Sequence, residues 1–125
     1  GELDQQIAQQ TLDLALEVAR QMLKSTLAAQ PERVLPVIQD ALRSLPVLGE
    51  NRRLHLHPED AAIAREHLGE SLTTAGWKIV EDAAIGRGGC QIITSHGEVD
   101  ASVDTRWRRI LASLGRDGGW TGEPA

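Results

Sequence analysis

The chain has 125 residues, a net charge of −5, one cysteine and three Trp with no Phe or Tyr. That length is one domain, or one domain with an appended helix, and its core must come from Leu, Ile, Val and Ala. The acidic balance argues against nucleic-acid binding as the main role; the lone Cys90 excludes an internal disulfide framework and suits a reducing cytosol; and no apolar run approaches the roughly 18 residues of a membrane span.

The chain opens directly on polar residues, Gly1-Glu2-Leu3-Asp4-Gln5-Gln6. This reads as a cut inside a longer protein. No secretory signal pattern is present. Leu3 to Ala29 reads as one long helix, free of Gly and Pro and rich in Leu, Ala, Gln, Glu and Arg. Ile7, Thr11, Leu14, Val18 and Met22 make one apolar stripe. Leu12, Leu16, Ala19, Leu23 and Leu27 make another, roughly 140° away. A helix docked on one sheet needs one stripe. Two stripes fit two partners, the chain's own domain and a second chain. The bland alternative is a helix buried between two layers of its own domain. The spacing 7, 11, 14, 18 is heptad-like, though short.

Gln30-Pro31-Glu32 is a joint between helices. A second helix follows to about Leu45, with Val34, Ile38, Ala41, Leu42 and Leu45 apolar, and Pro46 ends it. Pro36 conflicts with a helix interior. Either the helix starts near residue 33, which puts Pro36 in the first turn, or it kinks there. Val47 to Asn51 is a loop. Arg52 to Leu56 alternates, with Leu54 and Leu56 inward and Arg53, His55 and His57 outward, as in a strand. Pro58-Glu59-Asp60 starts a helix to about Leu72, with Ala61, Ala64, Leu68 and Leu72 on one face. Gly76 breaks it, and Trp77 to Glu81 is the next strand.

The last third carries the clearest signals. Gly86, Gly88 and Gly89 are a breaker cluster. Cys90 to Thr94 is a β-branched run. His96-Gly97 turns the chain, and Glu98 to Ala101 has room for one more short strand. Ser102 is a good N-cap for a helix with Asp104 in its first turn. Val103, Trp107, Ile110, Leu111 and Leu114 share one arc of about 100°, and Gly115 ends the helix. Arg116 to Ala125 is a Gly-rich tail, in which Trp120 is either a docking residue or incidental. The order α-α-β-α-β-β-α is that of an α+β (mixed α/β) domain, one small sheet covered by helices.

No catalytic set emerges. His55 and His57 on one side of a strand could place two imidazoles on a metal, but zinc wants three or four ligands, so solvated strand histidines are the simpler reading. Gly86-Arg87-Gly88-Gly89 lacks a following Lys-Ser/Thr and a following helix, so it fails both nucleotide-binding fingerprints; a turn with positive φ explains it. Cys90 in apolar company fits a core residue better than a nucleophile. Asp100 and Asp104 sit where a helix N-terminus attracts anions. Trp107 reads as core, pinning the last helix to the sheet. Arg106, Arg108 and Arg109 are the dense basic cluster, read equally as a protein-binding patch or a solvated face. The chain therefore implies no cofactor and no metal.

Gly88-Gly89-Cys90 followed by Gly97-Glu98-Val99-Asp100-Ala101-Ser102-Val103-Asp104-Thr105-Arg106-Trp107 resembles the C-terminal domain of the flagellar assembly protein FliH family. Leu54-His55-Leu56-His57-Pro58-Glu59-Asp60 and Gly76-Trp77 extend the resemblance over most of the chain. The family is similar in turn to the peripheral-stalk E subunit of vacuolar-type ATPases and to injectisome stators. The resemblance implies a non-catalytic homodimer whose globular part binds the flagellar type III export ATPase and restrains or couples its activity. Its stalk would reach the rotor ring or export gate through an N-terminal part not present here. It implies a cytoplasmic protein, recruited to the membrane apparatus through partners, with no nucleic acid bound and no direct membrane insertion. On that basis residues 1–29 end a helical stalk, 30–115 form the globular domain and 116–125 a flexible tail. Ile7, Leu14 and Val18 are the expected dimer contacts, and Arg106, Arg109 and Trp120 the expected ATPase contacts. Two alternatives remain: the stator of a virulence secretion or rotary ATPase, and a small thiol enzyme or ligand-binding domain using Cys90 and the histidines.

Overall fold

The computed structural model describes residues 1–44 and 49–122. The chain divides into two compact units, Gly1–Gln30 and Pro31–Ala125. The first is a single helix, α1 (Glu2–Ala29), with no helix breaker along its 28 residues. Glu17 accepts hydrogen bonds from Arg20 at 2.6 Å and from Gln21 at 3.1 Å. These bonds, Arg20's first, hold the Glu17 carboxyl below its usual range. Leu3, Ile7, Leu14, Val18 and Met22 are exposed.

The second unit begins with a 3₁₀ turn at Pro31–Arg33 that leads into α2 (Val34–Ser44). Pro36 is therefore a first-turn residue, where its missing N–H would have had no helical partner anyway. The kink is not needed. The expected helix end at Leu45 and Pro46, and the first loop residues from Val47, lie outside the described residues.

β1 (Arg52–Leu56), α3 (Pro58–Thr74) and β2 (Trp77–Glu81) form a parallel β-α-β unit. β3 (Cys90–Thr94) and β4 (Gly97–Ala101) form a hairpin that closes at the Thr94–Gly97 pair. β3 joins β1 antiparallel, so the mixed sheet runs β2-β1-β3-β4. The strand that the sequence leaves room for after His96 is thus present, as an edge. α4 (Val103–Ser113) follows it.

One face of the sheet is buried. Leu54, Leu56, Trp77, Cys90 and Ile92 meet Val34 and Ile38 of α2 and Ala61, Ala64 and Leu72 of α3. The period-2 alternation in β1 puts both leucines there, and each contributes about 1.5–3 kcal/mol by leaving water. His57 is a correction to the sequence reading. β1 stops at Leu56, and the His57 ring turns back to cap α3, its Nδ1 accepting from the Glu59 N–H at 3.1 Å. His55 is also not solvated: it is half-buried, with Nδ1 3.4 Å from Asp82 Oδ2. The two imidazoles therefore do not form a pair.

The loop from β2 to β3 is held by a carboxylate the sequence assigns only to a helix start. Asp60 is 1% exposed. It accepts from Arg87 Nε at 2.7 Å and from the Gly88 N–H at 2.8 Å, while Arg87 also pairs with Glu59. Two glycines make this loop possible. Gly88 has φ of 90°, a conformation that costs other residues energy. At Gly89 a Cβ would lie 2.6 Å from the Val103 nitrogen, so the loop and the start of α4 close on each other.

Candidate functional site

α4 starts and stops as its sequence dictates. The Ser102 hydroxyl accepts from the Thr105 N–H at 3.2 Å, an N-cap. Asp100 accepts from the Ser102 N–H and the Thr105 hydroxyl, both at 2.8 Å. Partial burial raises the Asp100 carboxyl, but these hydrogen bonds, with Arg109 nearby, outweigh it and the net shift is downward. Asp100 is thus a local brace. At the other end Gly115 has φ of 71°. The Gly115 and Arg116 N–H groups bond back to Ala112 and Leu111 at 3.0 and 2.8 Å, the two bonds of a Schellman motif.

That motif reverses the chain. The segment Arg116–Gly122 then lies back along α4. The Trp120 ring meets Trp107 edge-on, with centroids 5.7 Å apart and planes at 67°. The Trp120 N–H donates to Asp104 Oδ1 at 2.8 Å, and Arg108 Nε donates to Asp104 Oδ2, also at 2.8 Å. Trp107 is buried, as the sequence predicts, and Trp120 is the aromatic partner it meets.

Asp104 ties this segment to pH. The Trp120 backbone bond, then Arg108, hold its carboxyl below the usual range. A folded value below the unfolded one, about 3.9, stabilises the closed arrangement at neutral pH; that contribution is lost as pH falls below about 4. Tryptophan emission followed from about pH 6 to about pH 3 is expected to report the loosening. Asp104→Asn should remove that step from the profile, and an unchanged profile would show that Asp104 does not control it.

α4 presents two other surfaces. Ile110 and Leu114, which the sequence places on the sheet-docking arc, are 49% and 43% exposed. Beside them a groove of about 230 Å³ opens between α2, β4 and α4. Val37, Ala41 and Val99 give it apolar walls, and Asp40, Asp100, Arg106 and Arg109 line it as well. Asp40 pairs with Arg43 and Arg108 with Asp104. Arg106 and Arg109 are exposed and, among the described residues, form no ion pair. The structure thus brings Arg106 and Arg109 together at one groove and puts half-buried Trp120 on the opposite flank of α4. Ile7, Leu14 and Val18 share one exposed stripe of α1. Sequence reasoning missed Ile110, Leu114 and the α2 half of the groove. The sequence places Ile110 and Leu114 on the apolar arc of α4, and the structure shows that this end of the arc stays exposed.

Cys90 is fully buried, and burial pushes its thiol up to about 11. That is the opposite of what a nucleophile requires. Among the described residues, no group of three or more His, Cys, Asp or Glu is placed to hold a metal ion. Nor is any helix long and apolar enough to cross a membrane.

Comparison with known proteins names the setting. The family model of the flagellar assembly protein FliH matches residues 1–110. The chain belongs to the FliH family. It is 35% identical over 108 residues to the flagellar assembly protein FliH of Salmonella typhimurium, across 86% of this chain and 46% of that protein. It is 33% identical over 108 residues to FliH of Escherichia coli K12, across 86% of this chain and 47% of that one. FliH of Borreliella burgdorferi is 27% identical over 109 residues. The chain therefore spans about half the length of the FliH relatives it matches first. The FliH match ends at Ile110, before the segment that folds back on α4.

Proposed function

We propose that this chain is the C-terminal part of a non-catalytic flagellar assembly protein that works by docking. Residues 1–29 are the end of a helical stalk and pair with a second copy through Ile7, Leu14 and Val18. Residues 30–115 are the globular domain, which binds the flagellar type III export ATPase and restrains or couples its activity. Residues 116–125 are the tail. The stalk connects the ATPase to the rotor ring or export gate, and the protein is cytoplasmic, brought to the membrane by these partners.

The observation that carries this reading is the FliH match over residues 1–110. The surfaces agree with it. Ile110 and Leu114 are an exposed apolar pair at i, i+4, the spacing at which one helix grips another. Arg106 and Arg109 border the pair with charge available to a partner, and Trp120 borders it on the far side. A docked protein changes an ATPase's rate only through different affinities for its states, so the proposed mechanism needs a surface and no chemistry.

Size-exclusion chromatography with light scattering tests it, using the chain alone and mixed with the export ATPase of the same organism. A dimer that moves to a heavier complex holding the ATPase is the expected result. A chain that elutes unchanged beside the ATPase would refute the ATPase reading.

A further inference from the structure

We propose that Arg116–Gly122 is a displaceable strap that competes with the partner for α4. The inference rests on the docking reading above and adds regulation to the same site. In the closed state the strap covers Trp107 and Leu111, both buried, while Ile110 and Leu114 of the same arc stay exposed. Gly118 lies against Leu111, where a Cβ would sit 3.7 Å from Cδ1. Gly119 lies against Arg108, where a Cβ would sit 2.6 Å from the guanidinium. Lifting the strap joins Trp107, Ile110, Leu111 and Leu114 into one apolar face, twice as many side chains as the closed state offers.

The strap is built to come off. Four of the eight residues from Gly115 to Gly122 are glycine, and Trp120 is the one apolar side chain among them. Gly115, Gly118 and Gly122 have positive φ. Glycine gives the open form more conformational freedom than any other residue would, which works against closure. The seat includes the Trp120 ring against Trp107, a backbone N–H on Asp104 and the approach of Gly118 to Leu111. Segments of this kind open at a small fraction of the global unfolding free energy. The strap also lies wholly beyond the FliH match, whereas α4 up to Ile110 lies within it. Of the two side chains the strap covers, Trp107 lies within the matched residues and Leu111 just beyond them. A partner that needs the whole face binds only the open fraction, so its apparent affinity falls by that fraction.

The proposal gives Trp120 a sign opposite to that of a direct contact. Trp120→Ala should tighten binding of the purified export ATPase by about tenfold, and Trp120→Phe by less. Arg106→Glu with Arg109→Glu should weaken it. Hydrogen exchange on the free chain supplies a second readout. The Trp120 amide should exchange at least about a hundredfold faster than the amides of β3. A Trp120 amide as protected as β3 would overturn the strap whatever the partner does. Unchanged or weaker binding by Trp120→Ala, with the arginine variant impaired, would overturn the competition and leave the docking reading intact. An arginine variant that binds normally would sink the docking reading, and this inference with it.

Discussion

Replacing Asp60 with alanine is expected to destabilise the globular domain by about 3 kcal/mol. Asp60 is almost fully buried and accepts from the Arg87 side chain and from the Gly88 N–H. Alanine leaves that N–H without an acceptor, which costs about 1–3 kcal/mol. It also strips the guanidinium of its buried partner, and breaking a buried pair costs about 3–5 kcal/mol. Arg87 is one-third exposed and keeps Glu59, so the second cost is only partly incurred. Against a total of about 5–15 kcal/mol the loss is large. With a urea slope of about 1–3 kcal/mol/M, the midpoint should fall by at least about 1 M. Asp60→Asn should fall between the two, because its amide NH₂ must face either Arg87 or the Gly88 N–H, donor against donor. A midpoint for Asp60→Ala within experimental error of the parent would show that the clamp does not hold the domain.

The consequence extends to α4. The clamped loop ends at Gly89, which touches the backbone of Ser102 and Val103. Loosening the loop frees the seat of the helix whose far end carries Ile110 and Leu114. Stability at Asp60 and binding at α4 should therefore decline together, although Asp60 lies in α3.

What the sequence shows and hides follows from range. The elements were legible because each rests on local physics: alternation in β1, an uninterrupted helical stretch in α1, Ser102 and Gly115 as the ends of α4. The mixed α+β class follows from them. Cys90 as core was legible from its apolar neighbours. Asp60 was not, because its partners lie 27 and 28 residues away and an acid in a first turn already had a local explanation. His57 looked like a strand residue because alternation continues one position past the strand, and only the ring's bond to Glu59 reveals the cap. The groove joins α2 to β4 and α4, about sixty residues on by chain numbering, and no spacing pattern reaches that far. Trp120 could be singled out as odd, but its pairing with Trp107 depends on the reversal at Gly115.

Replacing Leu14 and Val18 together with aspartate should turn a dimer of this chain into a monomer. The seam proposed is the stripe through Ile7, Leu14 and Val18; Met22, already on that stripe in the sequence, is exposed too, and the structure adds Leu3. With both included, the stripe repeats every eleven residues: Leu3 to Leu14, Ile7 to Val18, Thr11 to Met22. Eleven residues over three turns is about 3.67 per turn, above the 3.6 of a straight helix, whereas a heptad falls below it. Two such helices stay face to face with a slight right-handed twist, so the seam can run the whole of α1. A heptad would have carried the contact onto Gln21 and Ser25. Each aspartate exchanges a buried aliphatic group, worth about 1.5–3 kcal/mol, for a charge that resists desolvation. In a symmetric dimer every substitution counts twice. The dissociation constant should therefore rise by more than about a thousandfold, as read by sedimentation equilibrium. Gln6→Ala, on the polar face of the same helix, should leave it unchanged. If the aspartate variant still dimerises with the parent affinity, the exposed stripe serves some other partner and the pairing must lie elsewhere in the chain.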